Sequence, residues 1–120
     1  MPLLRRGDIV LADLPFSDAS GSKVRPGLVV QNDKNNRRLQ DVILALITSQ
    51  THRAKIEATQ LLIDITTAEG RQSGLLHPSA VKCEHLITLD QKLIRRVIGR
   101  LPGAVMQQID GCLKASLGVV

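Results

Sequence analysis

Apolar residues along this chain fall in short runs separated by turn-forming stretches, and only near the end do they recur at helical spacing. Ile9-Val10-Leu11-Ala12, after Arg5-Arg6-Gly7-Asp8, is a run of strand type. Residues 13–22 carry Pro, Ser, Asp and Gly and read as a flexible loop. Gly27-Leu28-Val29-Val30-Gln31 predicts a second strand. Pro26 suits only its first position, because proline has no amide hydrogen for a ladder. Residues 32–41, NDKNNRRLQD, are polar and read as a turn-rich connection. Residues 42–48, VILALIT, lack alternation, so they predict a strand buried on both faces.

Residues 59–65 read as a further strand, followed by a loop around Gly70 and Gly74. Residues 79–88 alternate, with Ala80, Lys82, Glu84 and Leu86 on one side and Val81, Cys83, His85 and Ile87 on the other; neither side is cleanly apolar. Asp90 is placed to cap a short helical turn over residues 91–94; residues 95–101, RRVIGRL, could prolong that helix or form a final strand, and Val97-Ile98 before Gly99 favours the strand. Pro102 then opens a helix in which Val105, Ile109, Cys112, Leu113 and Leu117 form one apolar stripe, stopped by Gly118. The expected fold class is mainly β (α+β): a small barrel or half-barrel of short strands, with one amphipathic C-terminal helix covering an open side. With neither repeat nor linker, residues 1–120 read as one domain.

Composition sharpens this picture in three ways. The only aromatic residue is Phe16, although 43 % of the chain is hydrophobic, so aliphatic side chains must build the core. Sixteen Lys plus Arg against eleven Asp plus Glu give a net charge of +5, a balance that suits RNA or DNA as well as plain solubility. Cys83 and Cys112 sit in apolar surroundings and read as reduced, buried thiols. Asp8 and Asp13 interrupt the first apolar run, unlike a secretion signal. No stretch approaches the roughly 18 apolar residues of a membrane span. The expectation is a cytoplasmic protein with no membrane partner.

Three features carry candidate chemistry. In Lys23-Val24-Arg25-Pro26 the proline biases Arg25 toward extended geometry, which presents a guanidinium at the mouth of a strand. Arginine makes forked hydrogen bonds to phosphate and stays charged at any working pH; a solvated surface arginine is the plain alternative. Ile47-Thr48-Ser49-Gln50 places two hydroxyls and an amide where a buried strand emerges, suited to a phosphate or a base edge, or simply to a turn. His52, His77 and His85 are candidates for proton transfer, yet none lies in a diagnostic pattern. Cys83 and His85 could place two ligands on one strand face, but the zinc spacings that carry weight are absent. No metal and no cofactor are expected.

Together these stretches resemble the MazF/PemK toxins along nearly the whole chain. The matching residues are Arg6-Gly7-Asp8-Ile9-Val10, the run from Lys23-Val24-Arg25-Pro26 to Asn32-Asp33, and Ile47-Thr48-Ser49-Gln50. Leu86-Ile87-Thr88-Leu89-Asp90, Ile98-Gly99-Arg100-Leu101 and the helix over 105–117 complete the match. The resemblance implies an endoribonuclease on an SH3-like barrel, acting as a homodimer on single-stranded RNA and silenced by a cognate acidic antitoxin. It makes Arg25 and Thr48 the catalytic pair. The loop before Arg25 would line the RNA groove, with Phe16, Ser20, Gly21, Ser22 and Lys23, together with Pro26, Ser49 and Gln50, contacting substrate. Phe16 suits stacking on a base, and equally a place in the core. Where some relatives carry a histidine or an acid near this loop, the chain has Val24 and Asp18, and its general base is not evident. Two other readings compete: a non-enzymatic toxin of the same barrel acting on DNA gyrase, and a basic module that binds nucleic acid without cutting it.

Overall fold

The structure, a computed structural model, describes residues 3–15 and 22–120. Phe16, Ser20 and Gly21 therefore lie outside the described residues. Six strands form one antiparallel sheet: β1 (Asp8–Pro15), β2 (Ser22–Val29), β3 (Asp41–Thr48), β4 (Gln60–Ile63), β5 (Ser79–Asp90) and β6 (Ile94–Arg100). Their spatial order is β4-β5-β3-β2-β1-β6, so the first strand lies beside the last. Three helices complete the described residues: α1 (Asp33–Arg38), α2 (Ala68–Gln72) and α3 (Gly103–Leu117), with a 3₁₀ turn at Gln91–Leu93. The mainly β class with a terminal helix is as expected.

Both faces of the sheet are buried, each in its own core. One core lies under α3 and gathers Ile9, Leu28, Ala45, Val81 and Cys83 with Met106, Ile109 and Cys112 of the helix. The other lies across the sheet and gathers Val10, Ala12, Leu14, Val29, Leu44 and Leu89. Neighbouring residues divide between the two because strand side chains alternate. That is why residues 42–48 read as one unbroken apolar run.

The ladder is not closed, since β4 and β6 do not pair. Instead the residues that end α2 meet the β6 edge. Gly74 takes a left-handed φ of 74°, and a Cβ on it would collide with the Ile98 carbonyl. Gly99 faces back, and a Cβ there would run into the backbone of Ser73. Two glycines thus let main chain lie against main chain where a ladder would otherwise have to close the barrel.

Four sequence expectations need correction. Residues 33–38 are a short helix rather than a turn-rich loop: the Asn32 side chain accepts from the Asn35 amide at 2.8 Å and caps it. Its anchor is polar, which hides it from any apolar periodicity. Buried Asn36 donates to the Gln31 carbonyl at 3.0 Å and accepts from the Gln31 amide at 2.9 Å. Around Gly70 the expected loop is the helix α2, capped by Thr67, whose hydroxyl oxygen accepts from the Gly70 amide at 3.0 Å. In β5, Lys82 lies opposite Leu46 and Leu86 lies opposite Ala45, so residues 83–85 have no counterpart on β3. An odd displacement reverses the faces. Leu86 therefore joins the helix-side core with Val81 and Cys83, while Ile87 packs into the other. The fourth correction concerns Pro26, which stands inside β2 and is discussed with the site.

The capping turn at Asp90, the strand after it and the stop at Gly118, with φ 69°, match expectation. Pro102 takes the cap position just before α3. Within the predicted stripe Ile109 and Cys112 are buried, whereas Leu117 is exposed and buried Met106 takes a place that the spacing did not give it. No helix among the described residues is long and apolar enough to cross a membrane.

Candidate functional site

Proline in the middle of a strand is tolerated where its nitrogen has no ladder partner to lose. The Val30 amide donates to Ile43 on β3 at 3.1 Å, and alternation turns the nitrogen of residue 26 to the same side. On that side the β2–β3 ladder runs only from Val29 back to Gly27, opposite Leu46. On the other side Pro26 stays in register with Leu11 of β1. Beyond Gly27, then, β2 stays with β1 while β3 goes its own way. The gap between them opens into a cleft of about 810 Å³.

That cleft brings the two motifs together. Arg25 and Pro26 line it from β2, and Ile47, Thr48, Ser49 and Gln50 line it from the end of β3. The Gln50 amide donates to the Thr48 hydroxyl oxygen at 3.1 Å, which holds the side chain and leaves its own O–H to donate elsewhere. Arg25 is exposed and Thr48 half-buried. Lys23 is exposed on β2 and does not line the cleft; Ser22 starts that strand.

Two further residues line the cleft: Arg96, which the sequence did not single out, and His77, one of the three histidines raised for proton transfer. Arg96 lies on β6, directly opposite Leu11 of β1, and so shares the face on which the cleft opens. His77 comes from the segment that follows Gly74, the glycine pressed against Ile98 of β6. Neither carries a local signal: only the pairing of first strand with last, and the approach of α2 to β6, brings them to the Arg-Pro motif. Of the other histidines, His52 and His85 are exposed and neither lines the cleft. Cys83 is fully buried while His85 is exposed, so the two do not form a ligand pair.

The electrostatics of the cleft are one-sided. Arg25, Arg96 and His77 line it, and no carboxylate does among the described residues. Nearby acids are engaged elsewhere: Asp13 holds Arg95 at 3.0 Å, Asp8 holds Arg100 at 2.8 Å and Asp110 holds Arg6 at 2.7 Å. Two carboxyls with lowered pKa, Asp33 and Asp64, stand beside helix starts. Asp33 is held down chiefly by the Arg6 amide, and Asp64 by the Thr66 hydroxyl and amide. Burial raises Glu84, but hydrogen bonds from Gln60 and others outweigh it and the net shift is downward. Burial pushes the Cys83 thiol up to about 12, and the Cys112 thiol is raised as well, so neither is a ready nucleophile. No group of three or more His, Cys, Asp or Glu among the described residues is arranged to hold a metal ion.

The family model for the PemK-like, MazF-like toxin of type II toxin–antitoxin systems matches residues 5–117. The chain belongs to this family. Solved structures of the same fold span the whole of it. An endoribonuclease from a mycobacterial species superposes with a TM-score of 0.76 at 22 % identity, covering 99 % of this chain and 95 % of that one. A mycobacterial endoribonuclease in complex with its cognate antitoxin gives 0.77 at 22 % identity, covering 98 % and 97 %. A MazE–MazF complex from Deinococcus radiodurans gives 0.72 at 18 % identity, covering 99 % and 100 %. At such identities the likeness establishes the MazF-like fold, and the chemistry rests on the residues that line the cleft.

Proposed function

We propose that this MazF-like chain acts as one domain, as an endoribonuclease that cuts single-stranded RNA without a metal and is neutralised by a cognate antitoxin. The observation that carries the reading is the cleft itself, where Arg25 and Thr48 stand with a second arginine and, among the described residues, without a carboxylate. A polyanion is the natural occupant of such a surface. An open cleft also suits a flexible single strand better than a stiff duplex.

In this scheme the ribose 2′-oxygen attacks the adjacent phosphorus, the bond from phosphorus to the 5′-oxygen breaks, and a 2′,3′-cyclic phosphate and a 5′-hydroxyl remain. Arg25 neutralises the charge that grows on the non-bridging oxygens. Thr48 donates to the same oxygens, since its own oxygen is already occupied by the Gln50 amide. Ser49 and Gln50, the loop residues Phe16, Ser20 and Gly21, and Ser22 and Lys23 at the start of β2 hold the flanking nucleotides. A homodimer would extend the cleft into a longer groove; exposed Leu76 and Val97 in its lining favour a second chain as cover. An acidic antitoxin segment would compete for the same cationic surface.

The test is to map cut ends on a long RNA with wild type and Arg25→Ala, with and without an acidic antitoxin peptide. Cyclic-phosphate ends that vanish in the variant support the reading. RNA binding without any cleavage by wild type would sink it and favour an inert binding module.

A further inference from the structure

Cleavage by a 2′-hydroxyl needs a group that takes its proton, and the Arg25–Thr48 pair does not supply one. A guanidinium keeps its protons at working pH, and a threonine hydroxyl is a weak acceptor of them. We infer that His77 is the general base of this site, an assignment that rests on the ribonuclease reading above. Among the described residues that line the cleft, His77 alone carries an imidazole, the side chain most often used for general acid–base work. The other charged groups of the described lining are Arg25 from β2 and Arg96 from β6; Ile47 and Thr48 of β3, with Ser49 and Gln50 after it, carry no charge, and α2 contributes none.

The backbone around His77 is fixed in a way that suits a positioned base. The Ser79 hydroxyl donates to the His77 carbonyl at 2.8 Å, and Pro78 restricts the peptide between them. On the other side the Gly74 main chain packs closely against the Ile98 carbonyl of β6. The main chain is thus held at both ends while the imidazole stays exposed in the cleft. The neutral ring takes the 2′ proton as the bond from the 2′-oxygen to phosphorus forms. The departing 5′-oxygen takes its proton from water, and the imidazolium returns its own to solvent.

The experiment is single-turnover cleavage from about pH 5 to about pH 9 on one RNA, with wild type, His77→Gln and His77→Ala. Wild type should show a rate that rises through the histidine range and then levels. His77→Gln should bind RNA within about threefold of wild type, cut at least about a hundredfold more slowly, and lose the rising limb. His77→Ala should regain rate on addition of imidazole, whereas Arg25→Ala should not. A His77→Gln enzyme within about threefold of the wild-type rate overturns the assignment. So does a slow variant that keeps the wild-type limb and ignores imidazole, since that pattern means positioning. Wild type that cuts no RNA would instead overturn the ribonuclease reading beneath it.

Discussion

Replacing Arg25 by lysine separates two uses of one positive charge. If Arg25 only draws RNA to the cleft, lysine preserves the charge and most of the rate. If it makes a forked contact to the scissile phosphate, lysine loses the second donor when charge develops. A hydrogen bond to a charged group is worth about 1.5–3 kcal/mol, which at about 1.4 kcal/mol per decade is roughly ten- to 150-fold in rate. Because Arg25 is exposed in an open cleft, solvent screens part of this, and the lower half of the range applies. The expected result is RNA binding close to wild type with cleavage at least about tenfold slower. Thr48→Ala should show the same split with a smaller loss, because a neutral hydroxyl is the weaker donor. Rates under single turnover and binding by fluorescence anisotropy give the two numbers. A lysine variant that cleaves at the wild-type rate would refute the forked contact.

Four other outcomes follow. Cleavage should persist in excess chelator, and activity lost to EDTA but restored by magnesium or zinc would contradict the cationic mechanism. Light scattering at micromolar concentration should give about twice the 13.1 kDa chain mass, and a monomer would remove the dimer groove. Gly99→Ala should lower stability by about 1–3 kcal/mol in urea melts, because the new methyl meets the Ser73 backbone; an unchanged midpoint would show that α2 and β6 separate freely. Asp33 has a folded pKa held below the ordinary carboxylate value, first by the Arg6 amide at 2.7 Å. Its stabilisation is therefore present above that value and fades as pH falls through the lowered one. Asp33→Asn should lose stability at neutral pH, with the gap to wild type closing as pH falls below the ordinary carboxylate value; a gap that stays constant would show that the charge does not matter.

Strands were legible in the sequence where an apolar run ended at turn residues on both sides, as in β1, β3 and β6. The terminal helix showed itself through Ile109 and Cys112 and through Gly118 at its end. What stayed hidden has a physical cause in each case. Helix α1 is anchored by an amide pair, Gln31 and Asn36, which leaves no apolar period to read. In β5 the displaced register mixes the faces, so strict alternation assigned Leu86 and Ile87 to the wrong sides. The Arg-Pro and Thr-Ser-Gln motifs were visible because each is continuous along the chain. Arg96 was not, and His77 could not be told from His52 and His85, because their place in the cleft with Arg25 depends on which strands become neighbours. The Arg6-Gly7-Asp8 match has a structural meaning instead: Arg6 ties to Asp110 of α3 and Asp8 to Arg100 at the end of β6.

Those ties, and the pairing of β1 with β6, bear on how the chain matures on the ribosome. Synthesis runs from the N-terminal end, so β1 and β2 emerge early and can form their hairpin at once. The other edge of β1 must wait for β6: Asp8 meets Arg100 across 92 residues of chain, and Arg6 meets Asp110 across 104. At about 5–20 residues per second that wait lasts several seconds, and contacts of such long separation also form slowly. Until then a nascent chain already carries Arg25 and Thr48 but has neither Arg96 nor the wall of β6 beside them. The cleft is among the last parts of the molecule to be assembled, so a chain that damages RNA would be harmless to the message still translating it until its sheet is complete.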